Sequence, residues 1–109
     1  MVLLMTTVWY PPTKSVDVAK KYIEINKKYP PDRSIGKTLV IGVTSEKGAT
    51  KVIAIGSVVK GKFEEAVTRQ SKAQLEFAQS IEGYTYTVES ILDVTEAYSL
   101  VDMQAPEDR

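Results

Sequence analysis

Four stretches of apolar–polar alternation and two of helical period follow one another here as strand, helix, strand, strand, helix, strand. That order limits the available folds more than any other feature. Val2 to Tyr10 is rich in β-branched and aromatic residues and is stopped by Pro11-Pro12, which cannot continue a ladder. Ser15 reads as the N-cap of a helix from about Val16 to Tyr29. Asp17 lies in its first turn, Val18, Tyr22, Ile25 and Tyr29 along one side, and Lys27-Lys28 before the Pro30-Pro31 stop. After a basic, polar connection, Thr38–Ser45 and Thr50–Val59 alternate on either side of Glu46-Lys47-Gly48, which predicts an antiparallel hairpin. Gly61 opens a second helix from about Lys62 to Ser80. Phe63, Val67, Gln70, Gln74, Phe77 and Ile81 share one face of it, and Gly83 follows its end. Tyr84 to Asp93 alternates again as the fourth strand. Thr95 to Val101 reads either as a short helix or as an extra edge strand, and the polar stretch 105–109 as a fraying end.

This is the split βαβ order, so the expected fold is α+β and ferredoxin-like: a four-stranded antiparallel sheet with two helices on one face. A single domain spans 1–109, with a core over 2–93 and an extension over 94–109. The strands carry more apolar residues than such a monomer can cover. In the hairpin, Leu39, Ile41 and Val43 are expected on one side with Ile53 and Ile55. Val40 is expected on the other with Val52, Ala54 and Val58. In the first strand Leu3 and Met5 oppose Leu4 and Val8. Two dry faces with helices for one call for a second layer. A sheet-to-sheet homodimer supplies it; the C-terminal segment folding back over the sheet, or strand limits displaced by a residue, would remove the need.

The strand ending in Trp9-Tyr10-Pro11-Pro12, the capped helix, the Thr38–Val59 hairpin and the late aromatic strand resemble the dimeric α+β barrel superfamily in layout over residues 2 to 93. That group includes small antibiotic-biosynthesis-type monooxygenases and stress-responsive barrels. The resemblance implies a homodimer. In those monooxygenases a cavity between sheet and helices holds a flat aromatic substrate, oxidised with neither metal nor flavin, and polar residues such as Asn, Trp and Arg surround it. Asn26, Trp9, Arg69 and Gln70 are the candidates for that role here, although several enzymatic branches use a His that this chain lacks.

Composition removes other chemistries. The 14 Lys+Arg balance 14 Asp+Glu, so nothing suggests an electrostatic hold on nucleic acid or an anionic membrane. Zero Cys and zero His exclude disulfides, thiolate catalysis, a Ser-His-Asp triad and metal sites built on sulfur or imidazole. No metal and no cofactor are expected. Gly36-Lys37-Thr38 looks like the end of a phosphate-binding loop, but position 31, where that motif has its first Gly, is Pro31, and the segment precedes a strand. The apolar start Met1–Met5 is interrupted by Thr6 and Thr7 and lacks a basic flank, so it reads as a strand rather than a leader, and the expected location is the cytoplasm.

Candidate pocket residues follow from chemistry and position. Trp9, Tyr22, Tyr84 and Tyr86 are aromatics with polar tips, suited either to line a pocket or to anchor a core or dimer interface. The first and last strands are not expected to be neighbours, so their aromatics need not meet. Gly42, Ala54 and Gly56 fall mid-strand on the side of Val40, Val52 and Val58. Either the second helix packs tightly there or a cavity opens. Glu89 is the one mid-strand acid, where burial would raise its pKa; solvated or ion-paired, it is an ordinary strand residue. Three functions remain open: a homodimer with a binding or structural role and a small apolar or aromatic ligand, a cofactor-independent monooxygenase or isomerase acting on an aromatic or lactone substrate, and a protein-interaction or regulatory module.

Overall fold

The computed structural model describes residues 2–106; Met1 and positions 107–109, within the expected strand start and fraying end, lie outside the described residues. The elements are β1 (Val2–Tyr10), a 3-10 turn (Pro12–Lys14), α1 (Ser15–Lys28), β2 (Gly36–Glu46), β3 (Ala49–Val58), α2 (Phe63–Ser80), β4 (Thr85–Leu92) and α3 (Val94–Ser99). The sheet order is β2-β3-β1-β4 with every neighbouring pair antiparallel, and α1 and α2 lie on one face, so the fold is ferredoxin-like.

Several local expectations are corrected by geometry. Ser15 is the first residue of α1 and not its N-cap: the 3-10 turn started by Pro12 leads directly into the helix, and the Ser15 hydroxyl donates to the Pro12 carbonyl at 2.7 Å. The segment after Asp93 is helical. Asp93 accepts from the Glu96 amide at 2.8 Å while the Glu96 carboxylate accepts from the Asp93 amide at 3.1 Å, a reciprocal capping box that starts α3. β1 and β4 are neighbours, with Val8 opposite Tyr86 and Trp9 opposite Thr85. The closing stretch of β1 therefore meets the opening of β4, and their aromatics do converge.

The face assignment of the hairpin is also revised. Its turn is the two-residue Lys47-Gly48, both at positive φ as a type I′ turn requires, so Glu46 pairs with Ala49. A three-residue turn would have set Ile41 opposite Ile53. The observed register sets Ile41 opposite Ala54 and Val43 opposite Val52, on the helix side with Leu4, Thr6 and Val8 of β1. A bulge at Leu39, between Thr38 and Val40, then restores the alternation toward the strand start. Val40 and Gly42 consequently lie on the open face, opposite Ile55 and Ile53.

The core occupies one end of the layer between sheet and helices. Val8, Tyr10, Ile25, Ala73, Phe77, Ile81 and Tyr84 form it, and Tyr10, Tyr84 and Phe77 stack with near-parallel rings, 6.2 and 5.1 Å between centroids. Gly83 permits this approach: it sits at φ 84°, and a Cβ there would fall 2.8 Å from the Pro11 ring. Lys28 of α1 reaches Glu76 of α2 at 3.1 Å, joining the helices at this end. The hairpin end is less covered. Ile41 and Val43 remain 49% and 67% exposed although they face the helix side. On the open face Leu3, Met5, Ile53, Ile55 and Ile91 are half-buried, and Leu100, Val101 and Met103 after α3 stay exposed and do not seat on them. No described helix is long and apolar enough to cross a membrane.

Candidate ligand cavity

Bulky side chains fill the Tyr10–Phe77 end of the layer. Next to it opens a cavity of about 540 Å³ whose lining includes the small residues Ala54 and Gly56 of β3 and Ala66 and Ala73 of α2. Its floor is Leu4, Thr6 and Val8 of β1, with Val52 of β3 and Ile41 of β2. Val18, Tyr22, Ile25 and Asn26 of α1 and Gln70 of α2 form the roof. The connection from Pro30 to Ile35 forms the mouth. The size and the mostly apolar wall suit a small organic ligand.

The polar groups of the wall are few and specific. The Gln70 amide donates to the Thr6 hydroxyl at 3.0 Å, and Thr6 is only 4% exposed. The Tyr84 hydroxyl donates to the Gln74 amide oxygen at 2.6 Å, with both residues buried. At the mouth, Arg69 donates to the Pro30 carbonyl and lies 3.6 Å from Asp32. The Ser34 hydroxyl and amide both donate to Asp32 and, with Arg69 near by, hold its carboxyl below the usual carboxylate range.

Burial pushes the Tyr84 hydroxyl well above its ordinary pKa near 10, and the neighbouring Tyr10 and Tyr86 push the same way. The folded chain thus keeps this proton where the unfolded chain has lost it. Stability from this group is complete below about pH 10 and declines as pH rises from there toward the raised folded value. Urea midpoints taken from pH 8 to 11 are expected to fall. Tyr84→Phe, about 1 kcal/mol less stable at neutral pH through the lost bond to Gln74, is expected to show a shallower alkaline decline.

Of the residues singled out by sequence, Tyr22, Asn26, Gly56, Arg69, Gln70 and Tyr84 line this cavity. Trp9, Gly42, Tyr86 and Glu89 do not. Trp9 lies on the opposite sheet face, where its indole donates to Glu46 at 3.1 Å and Lys51 sits 5.7 Å over the ring. Lys51 and Trp9 together hold the Glu46 carboxyl below its usual range. Gly42 follows the corrected register to the open face. Tyr86 packs on the edge of the core, and Glu89 is exposed beside Thr87, so the burial that made it a candidate is lacking. Trp9, Asn26 and Gln70 therefore do not meet around one space within a protomer.

Sequence reasoning missed Thr6, Tyr10, Gln74 and the mouth residues Asp32 and Arg33 as site residues. Gln70 and Gln74, one turn apart on an otherwise apolar helix face, are the available signal, because buried amides require partners. Nothing local marks the mouth. Among the described residues there is no group of three or more His, Cys, Asp or Glu placed to hold a metal ion. What the cavity offers is a half-open, mostly apolar cleft with amide, hydroxyl and guanidinium groups to orient what enters.

No family model matches the chain, and no curated protein matches it. Similar folds occur among solved structures. The designed protein Foldit4 is 14% identical, with a TM-score of 0.56, covering 84% of this chain and 97% of that one. The C-terminal domain of the MgtC protein from Mycobacterium tuberculosis is 8% identical, with a TM-score of 0.50, covering 82% and 88%. A protein assigned as an antibiotic biosynthesis monooxygenase from Caulobacter crescentus CB15 is 15% identical, with a TM-score of 0.48, covering 85% and 90%. At such identities the likeness is one of fold: the chain is a ferredoxin-like domain, as the order of its elements implies.

Proposed function

We propose that this protein binds a small, largely apolar ligand between its sheet and its helices, and that it does so as a homodimer joined through the open sheet face. The observation that carries the ligand reading is the 540 Å³ cavity, whose lining includes the small residues Ala54, Gly56, Ala66 and Ala73. A domain of this size gains most of its stability from filling such a layer, so a space of this volume costs packing energy that a ligand restores. The test is titration with a fluorescent aromatic probe such as 1-pyrenebutanol. Saturable binding at one site per protomer is expected. Ala54→Phe, which places a ring in the cavity floor, is expected to weaken it about tenfold or more with unchanged circular dichroism. Equal binding by the variant would sink the cavity as the site.

The homodimer reading rests on a separate feature. Leu3, Met5, Val40, Ile53, Ile55 and Ile91 form a contiguous apolar patch on the face without helices. Trp9, Lys51 and Glu46 make a polar cluster at its far end. A patch of this kind with a polar rim is the composition of a protein interface, and the shared chain makes a second copy its natural partner.

A further inference from the structure

We propose that the ligand is an amphipathic organic anion, whose apolar body fills the cavity and whose acid group sits at the mouth between Arg33 and Arg69. This rests on the ligand reading above and adds the chemical class. Among the buried polar side chains of the wall, Gln70 is engaged with Thr6 and Tyr84 with Gln74. An entering body therefore meets a wall that asks little hydrogen bonding of it. The charged residues that line the cavity are gathered at one end. Asp32 and Arg33 belong to the connection into β2, and Arg69 faces them from α2; Lys37, the second residue of β2, pairs with Ser57 opposite Leu3, on the open-face side of the sheet.

Two of the three gathered there, Arg33 and Arg69, are cations, in a chain whose Lys+Arg and Asp+Glu are equal in number, so the bias is local to the mouth. Asp32 is engaged by Ser34 and Arg69. Arg69 holds the Pro30 carbonyl and Asp32, which leaves donors of its five-donor fork unspent. Arg33 is exposed and has no hydrogen bond or ion pair among the described residues. A carboxylate or sulfonate at this position gains charge-assisted hydrogen bonds from two guanidinium groups next to a low-dielectric interior. A neutral head gains far less, and a cation is repelled.

A matched pair of probes separates the two claims: 1-pyrenebutanoic acid and 1-pyrenebutanol, with one apolar body and different heads. At low salt the acid is expected to bind about tenfold more tightly than the alcohol, with the gap closing as NaCl is raised. Arg33→Glu, at an exposed position without a partner, is expected to remove that preference, bringing the acid to the affinity of the alcohol or below it. Both probes are expected to lose affinity in Ala54→Phe. Equal affinities for the wild-type chain, or a preference that survives Arg33→Glu, overturn the anion assignment while the cavity stands. Binding of neither probe, or acid binding untouched by Ala54→Phe, overturns the cavity reading and the anion with it.

Discussion

Replacing Phe77 with Ala is expected to lower the unfolding free energy by about 3–5 kcal/mol. Phe77 is 5% exposed, stacks on Tyr84 at 5.1 Å and belongs to the same cluster as Val8, Tyr10, Ile25 and Ile81. Its removal takes away both the transferred apolar surface and the support of the ring stack, and little else can move in: Tyr84 is held by its bond to Gln74. Domains of this size have total stabilities of about 5–15 kcal/mol, so the loss is a large fraction. Urea unfolding measures it as a lower midpoint at unchanged slope. Leu75, two residues earlier and 47% exposed, is the control, and its truncation is expected to cost less than about 1 kcal/mol. Similar costs at the two positions would mean that α2 presents a different face to the sheet.

The second large effect concerns assembly. Ile55 sits at the centre of the open face, opposite Met5 on β1 and Val40 on β2. In the proposed homodimer it is desolvated against the partner, and Ile55→Lys places an unpaired ammonium there. Self-association is expected to weaken at least about 100-fold, equivalent to about 2.7 kcal/mol, with the protomer fold retained, because the lysine reaches water freely in the monomer. Sedimentation velocity across low-micromolar concentrations reads the shift from dimer to a 12.1 kDa species. A wild-type chain that sediments as a monomer throughout removes the dimer. A variant that remains as dimeric as wild type moves the interface elsewhere, to the exposed β2 edge or to Leu100, Val101 and Met103.

Much of the architecture was readable because it is written in local periods. Val18, Tyr22, Ile25 and Tyr29 declare α1 before any tertiary contact is known, and Pro30-Pro31 ends it through a missing donor and a fixed φ. The surplus of apolar strand residues was legible too, and the structure places Leu3, Met5, Ile53 and Ile55 on one uncovered face. Which hairpin residues accompany them was not. A turn of two residues and one of three differ by a single position, and one position exchanges the faces of the β2 side chains from Val40 to Glu46, up to the bulge at Leu39. Gly42 left the candidate site for that reason alone.

The stretch following β4 was ambiguous because a run as short as Thr95–Val101 carries too few turns to distinguish helix from strand by period. The reciprocal bonds between Asp93 and Glu96 decide it. Both residues stand in the sequence at capping-box spacing, so that signal was present and unread.

Sequence by itself determined the kind and order of the elements from β1 to β4, the chemistry absent for want of His and Cys, and the excess of apolar surface over what two helices cover. All of these follow from residue identity and from interactions a few positions apart. Only the tertiary structure decided that β1 lies beside β4, that Tyr10, Tyr84 and Phe77 stack, and that Trp9 turns away from Asn26 and Gln70. It also decided that Ala54 and Gly56 open a cavity, with Arg33 and Arg69 at its mouth. These juxtapositions join residues up to 90 positions apart, as in the pairing of Val2 with Leu92. They are selected by how two layers pack as a whole, through register, side-chain volume and the pairing of buried polar groups, and no window of neighbouring residues contains that information.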